Sequence, residues 1–152
     1  MISSANTHTN PAAVSTPVEI HSETEWRLAG ETLKRALRPN LDVEDFLTRR
    51  HQLLQDGYRL VGIFSGEKIA CVASFTISPH PELGRELLIH DMATDPEFER
   101  RGLASSALGY LDAIAHTERC GRIFVHTRKM SVFYVKNGFD EYSTGLIKRL
   151  NG

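Results

Sequence analysis

"DPEFERRGLASSAL" spans Asp95 to Leu108. A proline-marked turn runs into two arginines, a glycine and a stretch with helical spacing. Just upstream lies "LLIHDMAT" (Leu87–Thr94), a β-rich apolar run. A helix that begins directly after a strand leaves its first backbone N–H groups unpaired. Their partial positive charge favours an anion at that spot. Gly102 permits unusual backbone angles and lets a ligand approach the main chain. Ala104 and Ser105 keep the next turn small, and Arg100 and Arg101 add full positive charges beside it. The stretch reads either as a cradle for a pyrophosphate or as a plain helix start with solvated arginines. It has neither the lysine of a P-loop nor the three glycines of a dinucleotide fingerprint.

Downstream, Leu103, Ala104, Ala107, Leu108, Leu111, Ile114 and Ala115 form an almost unbroken helical stripe, broken by "CG" at Gly121. "RIFVHT" (Arg122–Thr127) is a strand, so the helix must cross over and pack on the sheet. "MSVFYVKN" (Met130–Asn137) predicts a short helix ended by Gly138. "FDEYSTGLIKRL" (Phe139–Leu150) predicts one or two closing strands.

Upstream, "VEIH" predicts a short first strand. Ser22 opens "SETE", a capping box with Glu25. Trp26, Ala29, Leu33 and Leu37 then follow at helical spacing. Asp42 caps a second helix whose apolar face is Val43, Phe46, Leu47, Leu53 and Leu54, with Gly57 at its end. "YRLVGIFS" and "KIACVASFTIS" are strands joined at Ser65–Lys68. "PHPELGRE" predicts a polar loop. The expected architecture is α/β: a mixed, mostly antiparallel sheet of six or seven strands with about four helices.

The chain has 152 residues, 41% hydrophobic and 24% charged, with a net charge of −1. That suits one domain over residues 17–152 behind a disordered polar tail over 1–16. The charge balance argues against nucleic acid as a bulk partner, and no apolar run reaches membrane-spanning length. The tail lacks the form of a secretory signal. Cys71 and Cys120 give no disulfide framework and read as buried thiols of a reducing, cytoplasmic compartment. The seven histidines show no metal-ligand spacing, so no metal is expected.

Three features together give the sequence a family likeness. Glu99-Arg100-Arg101-Gly102-Leu103-Ala104 resembles the signature of the GCN5-related N-acetyltransferase (GNAT) superfamily: Gln or Arg, two variable residues, Gly, one variable residue, then Gly or Ala. Glu99 departs from it. "VFYVKNGF" (Val132–Phe139) resembles that family's aromatic pair, spacer and Gly-Phe, with Met130 where an alanine is frequent. "LLIHDMATDP" matches the strand leading into the phosphate turn, and element order agrees from Val18 to Leu150. The resemblance implies a sheet splayed between its fourth and fifth strands. Acetyl-CoA would pair with the splayed edge at Asp91–Thr94 through its pantetheine amides. It implies an N–H near Met92 or Ala93 polarising the thioester carbonyl. The pyrophosphate would lie on the amides from Arg100 to Ser105: Arg100, Arg101, Gly102, Leu103, Ala104 and Ser105.

Acetyl transfer to an amine needs an uncharged amine, a polarised carbonyl and a proton for the departing thiolate. Tyr134 matches the family tyrosine that donates to the sulfur; otherwise it is the polar end of a core pair with Phe133. His90 titrates near neutrality and can accept a proton directly or through water, or it is a satisfied core histidine. Asp91 can orient a water or hold a cationic substrate. Neighbouring strand residues point to opposite faces, so only one of the two faces the cleft unless a bulge intervenes. His126 and Thr127 read as strand-end polarity or as the cleft's far wall, and Trp26 reads as core.

The expected function is direct acetyl transfer from acetyl-CoA to a primary amine of a small molecule or protein, by a monomer or homodimer. The competing readings are a catalytically silent acyl-CoA-binding regulatory module and a nucleotide-binding protein using the same helix end.

Overall fold

The computed structural model describes residues 12–127, 131–143 and 145–150. Within them the chain runs β1 (Val18–Ile20), α1 (Glu23–Ala36), α2 (Val43–Thr48), α3 (Arg50–Gln55), β2 (Arg59–Ser65), β3 (Lys68–His80), β4 (Gly84–Thr94), a 3-10 turn (Pro96–Phe98), α4 (Leu103–Thr117), β5 (Arg122–Val125) and α5 (Ser131–Lys136). The sheet order is β1-β2-β3-β4-β5. The first four strands form an antiparallel meander, and β5 joins β4 in parallel after the α4 crossover.

Two apolar layers enclose the sheet. On one face α1 and α2 bury Trp26, Ala29, Leu33 and Phe46 against Leu60, Ile69 and Val72. Trp26 is fully buried and stacks on Phe46 at 5.2 Å. On the other face α4 presses Leu103, Ala107, Leu108, Leu111 and Ala115 onto Val61, Ala73, Phe75 and Leu87. The capping box at Ser22 and Glu25 forms as the sequence predicts, and Asp42 caps α2 through the amide of Asp45.

Four expectations need correction. The second helix is two six-residue helices joined at Arg49, with Phe46 its only buried residue among α2 and α3. The segment read as a loop, "PHPELGRE", is mostly strand. β3 runs to His80 and β4 starts at Gly84, because the amides of Glu82 and Leu83 close a tight turn on His80 Nδ1. The crossover helix ends at Thr117 with Arg119 at φ 60°, ahead of Gly121. Gly121 answers a close approach instead: a Cβ there would lie 2.6 Å from Leu83 Cβ.

The fourth correction concerns strand count. The sheet has five strands, not six or seven, and among the described residues 139–150 add no rung. A strand needs paired backbone groups on a neighbour, and the described residues of that stretch touch β5 side chains without entering the sheet. Residues 1–11 of the expected tail, and Met130, lie outside the described residues. Within the tail range, Ser15 exchanges hydrogen bonds with Phe64, its N–H donating at 2.7 Å and its hydroxyl accepting at 2.9 Å. No helix among the described residues is long and apolar enough to cross a membrane.

Candidate active site

The site forms where β4 outruns β5. Pairing between them stops at Ile89 and Val125, so Asp91–Thr94 present one free edge. Beyond Thr94 the chain turns sharply. Asp95 caps the 3-10 turn through the amide of Glu97 and takes two hydrogen bonds from Arg35 at 2.9 and 2.5 Å. This ties the end of α1 to the end of β4. Arg100 and Gly102 then adopt left-handed angles, φ 65° and 75°, and no side chain caps α4. The helix therefore offers its first amides outward.

A cleft of about 460 Å³ opens at this junction. Met92, Ala93, Thr94, Arg100, Gly102, Leu103, Ala104 and Ser105 line it, all of them expected from the sequence. Arg101 does not. Its guanidinium donates to the carbonyl of Ala12 and lies over the Phe98 ring at 5.2 Å. Ala36, Leu37, Phe98, Glu99 and Phe133 also line the cleft and were not anticipated as ligand contacts. Leu37 carried a signal: it continues the α1 apolar stripe as the residue that closes the helix, and it is exposed.

A bulge decides the other residues. Ser74 pairs with Asp91 and Phe75 with Ile89, so His90 is the extra residue. A bulge puts two successive side chains on one face. His90 stacks on Tyr58 at 5.8 Å and meets Thr76 Oγ1 at 3.0 Å through Nε2. Asp91 accepts a bidentate pair from Arg38, at 2.8 and 2.7 Å. Both thus face the α1 side. Burial against its neighbours lowers the His90 pKa below its usual 6.5; Asp91 pulls it up and Arg38 pulls it down.

Tyr134 lies on the opposite, α4 side of the same strand end. It is buried, edge-on to Phe133 at 5.0 Å and Phe139 at 5.2 Å. Burial pushes its pKa up to about 12, with Asp91 and Cys71 adding to the rise. Cys71 is buried, and its thiol is raised to about 11 by burial while Thr94 donates to it at 3.6 Å. At that pKa it is a thiol, not a nucleophile, near neutrality. Cys120 is half-buried. His126 is exposed and packs on Phe124 at 4.9 Å. Among the described residues no cluster of His, Cys, Asp or Glu is built to hold a metal.

An antiparallel meander, a parallel crossover, a strand that outruns its neighbour and a helix start that gathers amides are one architecture. The acetyltransferase (GNAT) family profile matches residues 24–139, and the chain belongs to that family. Solved structures agree in fold. A transcriptional regulator from Bacillus halodurans superposes with a TM-score of 0.80 at 18% identity, covering 91% of this chain and 100% of that one. Glucosamine-6-phosphate N-acetyltransferase from Arabidopsis thaliana gives 0.76 at 18%, covering 91% and 99%. An aminoglycoside N-acetyltransferase solved in complex with CoA gives 0.74 at 14%, covering 95% and 99%. No curated protein sequence matches.

Proposed function

We propose that the protein transfers acetyl from acetyl-CoA directly to a primary amine. The observation that carries this reading is the meeting of a free β4 edge and the uncapped first amides of α4 at one cleft, whose wall includes Phe133, the sequence neighbour of the buried Tyr134. The amides from Gly102 to Ser105, with Arg100 beside them, bind the diphosphate. The edge at Asp91–Thr94 pairs with the pantetheine amides. An N–H near Met92 or Ala93 meets the charge that grows on the thioester oxygen.

The amine nitrogen attacks the carbonyl carbon, the C–S bond breaks, and the sulfur leaves with the electron pair. Tyr134 presents its O–H to that sulfur. Its pKa of about 12 keeps it protonated at any working pH. His90, neutral near pH 7, accepts the proton the amine must lose, directly or through a water. One proton lost by nitrogen balances one gained by sulfur. Arg38 already occupies Asp91, which leaves His90 the freer of the two. Small amines and protein amino groups are both candidate acceptors.

Tyr134→Phe tests the assignment. Thiol release from acetyl-CoA, screened against diverse amines, should fall by about 10²–10⁴-fold, while calorimetry shows CoA affinity within about twofold. Wild-type protein that binds CoA but turns over no amine would be a silent binding module. Tight ATP binding without CoA binding would make it a nucleotide-binding protein.

A further inference from the structure

Two residues with no signal in the sequence hold His90 from different directions. Its imidazole lies on the Tyr58 ring, with centroids 5.8 Å apart and planes 20° from parallel. Tyr58 in turn packs on the fully buried Trp26 at 5.7 Å. That stack fixes the plane of the imidazole. A hydrogen bond fixes its rotation: Nε2 meets Thr76 Oγ1 at 3.0 Å. Thr76 pairs with Leu88 across β3 and β4, so His90 is its diagonal neighbour. Among the described residues no hydrogen bond reaches Nδ1. The charged groups acting on the ring are Asp91 and Arg38, and these two are bonded to each other. Tyr58, the titratable group on the β2 side, has its pKa raised chiefly by burial and stays neutral.

We propose that Thr76 is a positioning residue: its hydroxyl accepts from Nε2–H, holds His90 in that neutral tautomer and leaves the Nδ1 lone pair to take the proton from the acceptor amine. This rests on the reading of His90 as the base. A neutral imidazole has one N–H and one lone pair, and the partner of one nitrogen sets the state of the other. A threonine hydroxyl can donate or accept. Were it the donor, it would occupy the Nε2 lone pair and put the ring hydrogen on Nδ1. No lone pair would then be left for an incoming proton. With Thr76 as acceptor, both ends of the step are served. When Nδ1 takes the proton, the imidazolium has two N–H groups, and Nε2–H keeps the same partner. That bond strengthens as the ring becomes charged, and nothing at Nε2 has to break.

Nitrogen-15 NMR of the full chain with labelled histidines reads the tautomer with no substrate present. His90→Gln identifies the His90 signals among those of the seven histidines. Above its titration, wild-type His90 should carry its hydrogen on Nε2 and leave Nδ1 bare. Thr76→Val keeps a β-branched side chain suited to the strand and removes the acceptor. It should give a mixture of both tautomers. It should also raise the His90 acid dissociation constant by about threefold, because a hydrogen bond to the charged form is lost. Thr76→Ser should restore both readings. A wild-type ring with its hydrogen on Nδ1 overturns the proposal. So does a Thr76→Val ring that keeps the wild-type tautomer and midpoint. Should Thr76→Val fail to fold, the wild-type spectrum decides alone. The acid limb of kcat/KM separates this proposal from the reading it rests on. A limb that stays in place while the NMR midpoint moves would leave the tautomer assignment standing and overturn His90 as the base.

Discussion

A carboxylate at position 99 stands at the mouth of a cleft suited to a diphosphate. Glu99 is exposed, so its repulsion is screened but not removed. Glu99→Gln should tighten CoA binding by roughly threefold at low salt, with the gain shrinking as salt rises, read by calorimetry. The titrating side chains predict the pH profile of the proposed reaction. A base works when neutral, so rate falls as pH drops through the His90 pKa, which lies below 6.5. The acid works when protonated, so Tyr134, near 12, gives no falling limb in the accessible alkaline range. The acceptor amine adds its own rise. Comparing wild type with His90→Gln on one acceptor isolates the histidine: the variant should lose the limb below pH 6.5 from kcat/KM. Chemistry-bearing residue types were legible in sequence here. Their orientation was not, because one bulge in the pairing of β4 with β3 puts His90 and Asp91 on the same face, and Arg38 reaches Asp91 across 53 positions.

At the scale of elements, local rules worked wherever a helix or turn carried its own signal. The Ser22 box, the Asp42 cap and the Ser65–Lys68 hairpin follow from neighbours a few residues apart. The loop before β4 was misread because proline and glycine read as breakers, whereas His80 accepts two turn amides and the strands run almost to meet. The Phe139–Leu150 stretch was misread because β-like alternation says nothing about whether a neighbouring strand exists. The start of α4 is the element on which the site depends. Gly102 sits at φ 75° with nothing within 4 Å of a would-be Cβ. Gly102→Ala therefore tests backbone strain and not a clash. It should destabilise the fold by about 1–2 kcal/mol in thermal or urea unfolding. It should also weaken CoA binding, since the methyl projects where main chain and ligand are to meet.

Across the whole molecule, ion pairs knit elements that the apolar layers leave loosely joined. Arg59 bridges Glu19 on β1 to Glu118 beyond α4, and Glu118 also meets Arg85 on β4. Arg35 on α1 holds Asp95, which is 2% exposed. These carboxylates set the acid limit of the fold. Burial pushes the Asp95 pKa up, but the Glu97 amide and Arg35 outweigh it and leave it below its usual value. Glu19 is lowered chiefly by its hydrogen bond from Arg59. A carboxyl depressed on folding stabilises fully above its unfolded pKa, about 4, and that contribution disappears as pH falls through the folded pKa. Stability to urea should therefore stay level from neutrality to about pH 5 and decline below about pH 4. Asp95→Asn should unfold at lower urea than wild type at pH 7, since Arg35 and the Glu97 amide lose their anionic partner. The gap should narrow toward pH 3, because the charge contribution of a carboxyl lowered on folding shrinks as pH falls below its unfolded pKa. A gap of equal size at both pH values would place the Asp95 contribution in packing and not in charge.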